Sequence, residues 1–123
     1  MSILQTIKDF FLIIDEPDEE LLSDFQSIVD QEYIQFKDTV LMMDKEDIFS
    51  LAYQIDFFDR LHEFIMYEGP IPNEVLYSVD SQNPLALMYE YYKMSGMRGF
   101  TSGKDIRKIL EMTFVNSEEV LYA

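Results

Sequence analysis

The one histidine of the sequence lies between carboxylates, at a spacing that suits acid-base or metal chemistry. Asp59 precedes His62 by three residues and Glu63 follows it, so a helix would bring a carboxylate to the imidazole. A di-iron bundle site needs a carboxylate-histidine motif from each of two helices, and the sequence has no second histidine. We therefore predict that His62 is a solvated or capping residue, and we expect neither a metal site nor a catalytic residue.

A glycine-rich stretch at residues 95–104 has the composition of a phosphate-binding loop but not its register. The pattern G-x-x-x-x-G-K-[ST], placed on Gly103 and Lys104, requires glycine where Arg98 stands and a hydroxyl where Asp105 stands. The Asp105 carboxylate would repel phosphate. We therefore expect a flexible loop here, with no bound nucleotide or other cofactor.

Four aromatic residues near the carboxyl-terminal cations could stack on single-stranded nucleic acid: Tyr89, Tyr91, Tyr92 and Phe100. At helical spacing Tyr92 shares a face with Met88 and Tyr91 lies on another face, so core or interface roles explain most of these rings better. The negative charge of the chain also opposes nucleic acid. We select Tyr89 and Tyr91 as candidate contacts to a protein partner.

The charge of the chain is strongly negative and unevenly distributed. Nine Lys and Arg against twenty-four Asp and Glu give a net charge of −15. Residues 1–92 hold four cations and twenty acids, a net of −16, whereas residues 93–108 hold five cations and one acid, a net of +4. A negative surface repels phosphate backbones and anionic lipid. We therefore expect a basic protein partner, and neither direct nucleic-acid binding nor membrane binding.

Acidic residues cluster at the start of the second predicted helix, at Asp18, Glu19, Glu20 and Asp24. Carboxylates at fixed positions can bind the Lys and Arg side chains with which another protein binds phosphate. The alternative is a solvated helix face, because charge alone does not impose the spacing of phosphate groups. These four acids and the two selected tyrosines are the predicted partner-binding residues.

Apolar spacing and capping signals predict an all-α fold. A hydrophobic fraction of 48% over 123 residues can form a core, and no alternating run long enough to require a sheet occurs in the sequence. Asn83 is the expected N-cap of one helix and Pro84 its first residue. We interpret residues 1–123 as one domain, a compact bundle of five to six helices near residues 2–14, 17–36, 44–68, 72–79, 83–94 and 103–114.

The third predicted helix is the most hydrophobic stretch of the chain and the expected centre of the core. Asp44 is its predicted N-cap, and Gly69 is its predicted stop, because glycine tolerates the backbone conformation that ends a helix. Within its apolar stripe we expect Ile55 and Phe58 to be buried.

The composition also bears on the compartment. Cysteine is absent, which fits a reducing environment. The apolar run at residues 10–14 is too short for a transmembrane helix, and it lacks the basic flank and cleavage site of a signal peptide. We therefore expect a cytoplasmic protein.

Mostly apolar and aromatic residues over positions 32–110 form a recognisable pattern: Glu32, Phe36-Lys37-Asp38, Leu41, Ile48-Phe49, Ala52-Tyr53-Gln54, Asn83-Pro84-Leu85, Tyr89 and Tyr91. In this pattern the chain resembles an uncharacterised family of small domains encoded by mobile elements of Firmicutes. The resemblance assigns no functional residue. It implies a phage or integrative element, in which small acidic proteins often act by binding a host protein, as anti-CRISPR inhibitors do.

These observations favour a non-enzymatic protein–protein interaction module, encoded by a phage or mobile element, that binds a host protein. Eight Met, ten Phe and eight Tyr exceed what a core of this size needs, and such residues are enriched at interfaces. A homodimer is one arrangement that would use them. The alternative function is an acidic inhibitor, for example of anti-CRISPR type, that mimics nucleic acid and binds a DNA- or RNA-binding protein.

Overall fold

Side chains cap four of the six helix starts in the computed structural model of the protein, which describes residues 18–115. In that range the chain forms no strand and six α-helices: α1 Glu19–Leu41, α2 Lys45–Ser50, α3 Ala52–Glu63, α4 Asn73–Ser78, α5 Pro84–Ser95 and α6 Gly103–Phe114. The predicted all-α bundle is confirmed. The helix predicted at residues 2–14 lies outside the described residues.

The first described helix begins where a side chain can pair with a free backbone amide. The Asp18 carboxylate accepts a hydrogen bond from the Leu21 N–H at 3.1 Å. Glu19 and Glu20 lie in the first turn, where the helix dipole favours negative charge. The inner face of α1 buries Phe25. The predicted second helix is therefore confirmed, with Glu19 as its first residue, and it extends to Leu41, beyond the predicted end near residue 36.

The third predicted helix is divided at Leu51. As expected, the Asp44 carboxylate caps the first piece by accepting from the Asp47 N–H at 2.9 Å. The Ser50 hydroxyl donates to the Asp47 carbonyl at 2.7 Å. The Leu51 N–H reaches the carbonyls of Asp47 and Ile48 at 3.2 and 3.1 Å. These bonds tighten the last turn of α2 and end it at Ser50, so the prediction of one continuous helix was wrong.

The second piece, α3, lies in the centre of the core, as predicted. Phe57, Phe58 and Leu61 are each at most 2% exposed. They belong to one cluster with buried residues of the other helices, among them Phe25, Val29, Leu85, Met88, Tyr92, Ile106, Ile109 and Leu110. The burial of Phe58 is thus confirmed. The burial of Ile55 was predicted wrongly, because Ile55 lines an open groove beside α1 and is only half-buried.

A π-helical turn, Phe64–Glu68, extends α3 to the predicted stop at Gly69. The Gly69 N–H donates to the Phe64 carbonyl at 2.8 Å, and the Gly69 φ angle of 48° is one that residues with a side chain rarely adopt. The Gln26 side chain of α1 donates to the Ile65 carbonyl at 3.0 Å. The stop at Gly69 is therefore confirmed, and the turn before it is held by α1.

Helix α5 receives its cap from another helix. The Glu32 carboxylate of α1, which is 7% exposed, accepts from the Leu85 N–H at 2.6 Å and the Ala86 N–H at 3.0 Å. Burial raises the pKa of Glu32, and the two backbone hydrogen bonds partly oppose that rise. Pro84 is the first helical residue, as predicted. The side chain of Asn83 makes no capping bond within residues 18–115, because Glu32 occupies the amides that Asn83 was expected to cap.

The glycine-rich stretch before α6 is a loop, as predicted. Its carboxyl-terminal part is held in place by contacts with the core. Phe100 is buried, and Nε and Nη2 of Arg60 donate to the Thr101 carbonyl at 2.9 and 2.7 Å. The Ser102 hydroxyl then caps α6 by accepting from the Asp105 N–H at 3.1 Å, as the sequence predicts. The loop is therefore tied to α3 and to the core at residues 100 and 101.

Candidate protein-binding groove

A groove with an apolar floor runs between the carboxyl-terminal half of α1 and the helices α2 and α3. Two adjoining depressions form this groove, with volumes of about 400 and 380 Å³, and both are lined by Ile48 and Ile55. One depression lies beside α1 and is also lined by Phe36, Val40 and Leu41, and the other lies between α2 and α3 and is also lined by Phe49 and Ala52. The two depressions share Ile48, Ile55 and Asp59 and are open to solvent, so a segment of another molecule can enter from the side.

Large apolar side chains around this groove are strongly exposed. Leu41 and Phe49, which line it, are 71% and 83% exposed, and Met42, which follows Leu41, is 88% exposed. A single exposed apolar residue is ordinary, whereas several around one apolar depression mark an interaction surface. None of the residues of α2 is buried, so this short helix presents Phe49 to solvent.

Four charged residues border the apolar floor: Lys37 on α1, Lys45 on α2, and Asp56 and Asp59 on α3. All four are exposed. In the part of the chain that the structure describes, the ion pairs are Arg60–Glu68, His62–Asp30 and Lys93–Glu90, so none of the four belongs to one. Asp59 accepts a hydrogen bond from Tyr33, and the charges of the other three are available to a partner.

A stacked and hydrogen-bonded network joins α1 to α3 beside the groove. The Tyr33 hydroxyl donates to Asp59 Oδ1 at 2.5 Å, and this bond is the main cause that raises the pKa of Tyr33 to about 12. The Tyr33 ring stacks on the His62 ring, with 4.1 Å between their centroids. His62 Nε2 lies 2.9 Å from Asp30 Oδ1. These contacts fix the Tyr33 side chain where it lines the groove.

His62 is therefore not the solvated or capping residue that the sequence predicts. Its side chain is 13% exposed, and it pairs with Asp30 of α1 instead of with Asp59 on its own helix. The sequence offers one weak signal for this contact, because Asp30 and Tyr33 stand three residues apart and share a helix face. Among residues 18–115, no group of three or more His, Asp or Glu side chains is arranged to hold a metal ion.

The predicted acidic contact residues lie at the other end of α1. Asp18 is occupied as the N-cap, whereas Glu19, Glu20 and Asp24 are exposed in the first turns. A helix rises about 1.5 Å per residue, so Asp24 and Tyr33, the nearest residues of the cluster and the groove, are roughly 14 Å apart along α1. The structure therefore separates the acidic cluster from the apolar groove.

The predicted tyrosine contacts lie on α5 and are both half-buried. The Tyr89 ring packs on Phe57, with 5.0 Å between centroids, and Lys93 Nζ lies 4.8 Å from the centre of the Tyr89 ring. Tyr89 thus serves the core on one side and carries a cation on the other. Sequence reasoning selected these rings and missed the groove, because an exposed Phe49 and a buried one look the same in the sequence.

Comparison with known proteins gives no relative of this chain. No family model, no curated protein and no solved structure matches it. Between residues 18 and 115, no helix combines the length and the apolar character that crossing a membrane requires. The surface geometry is therefore the basis for a functional proposal.

Proposed function

We propose that the chain is a non-enzymatic protein-binding module that holds an apolar segment of a partner protein in the groove. The main support is the exposure of Leu41 and Phe49, which line the apolar depressions, together with the exposure of Met42, which follows Leu41 in the chain. Methionine and aromatic residues are enriched at protein interfaces. The resemblance to domains of Firmicutes mobile elements extends the proposal to a phage or mobile-element protein that binds a host protein in the cytoplasm.

Burial of these three side chains supplies much of the binding free energy. Full burial of an exposed Leu, Met or Phe contributes about 1.5–3 kcal/mol, so three contribute roughly 5–9 kcal/mol. Association costs about 4–15 kcal/mol in lost freedom of movement. Since the two ranges overlap, a stable complex also needs the floor residues and the charges at the border of the groove.

The experiment compares capture of host proteins by the full chain and by two double variants. The groove variant carries Leu41→Ser and Phe49→Ser, and the control variant carries Tyr77→Ser and Met94→Ser, whose side chains are 67% and 60% exposed on α4 and α5. Each immobilised protein is incubated with a Firmicutes lysate, and the bound proteins are identified by mass spectrometry. We expect a partner that the wild type and the control variant retain and the groove variant loses. Identical capture by all three proteins would contradict the proposal.

A second candidate function, mimicry of nucleic acid, is supported by the open acidic cluster at the start of α1. Glu19, Glu20 and Asp24 are exposed, and none of them belongs to an ion pair within the described range. Carboxylates that are free of internal partners can bind the Lys and Arg side chains of a DNA- or RNA-binding protein.

The test of mimicry uses a variant in which three acids are neutralised together, Glu19→Gln, Glu20→Gln and Asp24→Asn. Asp18, the N-cap, stays in place. If the cluster binds a basic groove, capture weakens steeply with salt in the wild type, because salt screens exposed charges. Capture by the neutralised variant is then lost. Salt-insensitive capture that survives neutralisation would exclude mimicry through this cluster.

A further inference from the structure

We infer that the segment held in the groove is a cationic amphipathic α-helix of another protein. The inference rests on the proposed function and adds the shape and the charge of the partner. Two observations carry it: the length and helical walls of the groove, and the excess of acids over cations in the segments that form those walls.

The shape of the groove matches a helix. Its α1 wall runs from Tyr33 to Leu41, which corresponds to about 12 Å along the helix axis. Apolar residues at positions i, i+4 and i+7 of a bound helix span about 10.5 Å, so one such stripe covers the wall. Both walls are helices, and residues 18–115 contain no strand whose edge could pair with an extended peptide. Helix-in-groove binding is therefore the mode that this surface offers.

The charge around the groove selects a cationic partner. Residues 33–59, which form both walls, contain six acids and only two cations, Lys37 and Lys45. None of these eight residues belongs to an ion pair in the described part of the chain. Asp56 and Asp59 line the groove together with the two lysines, so the excess of negative charge comes from four further exposed acids of the same segments: Asp38, Asp44, Glu46 and Asp47. Lysine or arginine flanking an apolar stripe would meet these carboxylates as the stripe is buried.

The same charge disfavours two other occupants. A second copy of the chain would bring its own acidic walls and a net charge of −15 against a surface of the same sign. An anionic membrane surface is repelled for the same reason. A cationic helix from another protein satisfies both the apolar floor and the carboxylates.

The experiment measures binding of labelled synthetic peptides to the full chain by fluorescence anisotropy. The probe has about 18 residues, with leucines at i, i+4 and i+7 and with lysines at both ends. One comparison peptide has the same composition with the leucines distributed around the helix, and another has glutamate in place of each lysine. The proteins are the wild type, the groove variant, the control variant, and the charge variants Asp56→Lys and Glu111→Lys. Circular dichroism confirms that each variant is folded.

The inference predicts that the lysine-flanked, striped probe binds the wild type and the control variant equally. The groove variant and each comparison peptide lose at least about tenfold in affinity. Asp56→Lys, at the groove, weakens binding severalfold, whereas Glu111→Lys, on α6, does not. Equal binding of the glutamate-flanked peptide, or unchanged binding by the groove variant, would overturn the inference.

Two further outcomes would overturn it in favour of another occupant. Light scattering that shows a dimer of the wild type and a monomer of the groove variant would assign the groove to a second copy. No probe binding by the wild type, with binding only after Ile7→Ser with Phe11→Ser, would assign it to the amino-terminal segment of the chain. If the groove variant loses a lysate partner but the wild type does not bind the probe, only the cationic helix is refuted. If lysate capture and probe binding are both independent of the groove, the proposed function fails as well.

Discussion

The cap of α5 by Glu32 is open to a direct test with Glu32→Ala. The Glu32 carboxylate accepts from the Leu85 and Ala86 amides at 2.6 and 3.0 Å. A hydrogen bond to a charged group contributes about 1.5–3 kcal/mol, and an unpaired buried donor costs about 1–3 kcal/mol. Replacement of Glu32 also removes the desolvation cost of its buried carboxylate, which offsets part of the lost stability. We expect the free energy of unfolding at neutral pH to fall by about 2 kcal/mol.

The measurement is urea unfolding followed by far-UV circular dichroism, with two control variants. Asn83→Ala removes the residue that the sequence nominates as the cap, and Glu63→Ala removes an exposed glutamate on α3. Each control is expected to change the free energy of unfolding by less than about 0.5 kcal/mol. A cost of Asn83→Ala equal to or above that of Glu32→Ala would refute the assignment of Glu32 as the cap.

The pKa of Glu32 gives the same site a pH dependence of known sign. Burial raises this pKa in the folded state above its ordinary value of 4.5, so the folded chain holds the proton more tightly than the unfolded chain. The contribution of this bound proton to the free energy of unfolding is fully present below pH 4.5, and it is lost as the pH rises through the folded-state pKa of Glu32. Glu32→Gln does not titrate, so the advantage of the wild type over Glu32→Gln should shrink as the pH rises from 4.5. If the advantage of the wild type instead grows with pH, the two hydrogen bonds lower the pKa of Glu32 by more than burial raises it.

Four further substitutions test the packing. Phe58→Ala should lower the free energy of unfolding in urea by about 3–5 kcal/mol and Ile55→Ala by only about 1–2 kcal/mol, because Phe58 is buried and Ile55 faces the groove. The reverse order would refute this placement of the two side chains. Lys104→Ala should change the free energy of unfolding by less than about 0.5 kcal/mol because Lys104 is exposed; a larger loss would make it structural. His62→Ala should cost about 1 kcal/mol through its lost stacking and leave lysate capture largely unchanged, because the hydrogen bond to Asp59 still holds Tyr33 at the groove. Abolished capture by a folded variant would make His62 essential for partner binding.

The helix ends that the sequence predicts correctly are those whose cause is local. Asp44 and Ser102 each cap an amide three residues later, and Gly69 supplies a backbone conformation that other residues resist. Such signals act within one turn of the chain, so the residue types and their order are sufficient. The break at Leu51 is local too, but it depends on a serine hydroxyl that competes for a backbone carbonyl, and many helices contain serine without breaking.

The contacts that the sequence could not provide are those between helices. Glu32 and Leu85 are 53 residues apart, and His62 and Asp30 are 32 residues apart. Nothing in the local pattern distinguishes Glu32 from the solvated acids that surround it in α1. The pairing depends on how α1 crosses α3 and α5, which is set by core packing and not by any single residue.

The groove could not be predicted from the sequence either, and the structure of α2 explains why its apolar floor stays uncovered. Once the chain breaks at Leu51, α2 is a helix of six residues with no buried side chain. A helix this short gains little stability from its own hydrogen bonds and is normally held by packing. In α2 the Asp44 cap remains, but Ile48 and Phe49 border the groove without being covered. A partner that fills the groove would therefore bury the apolar face of α2 and stabilise it, so binding and the stability of α2 should rise together.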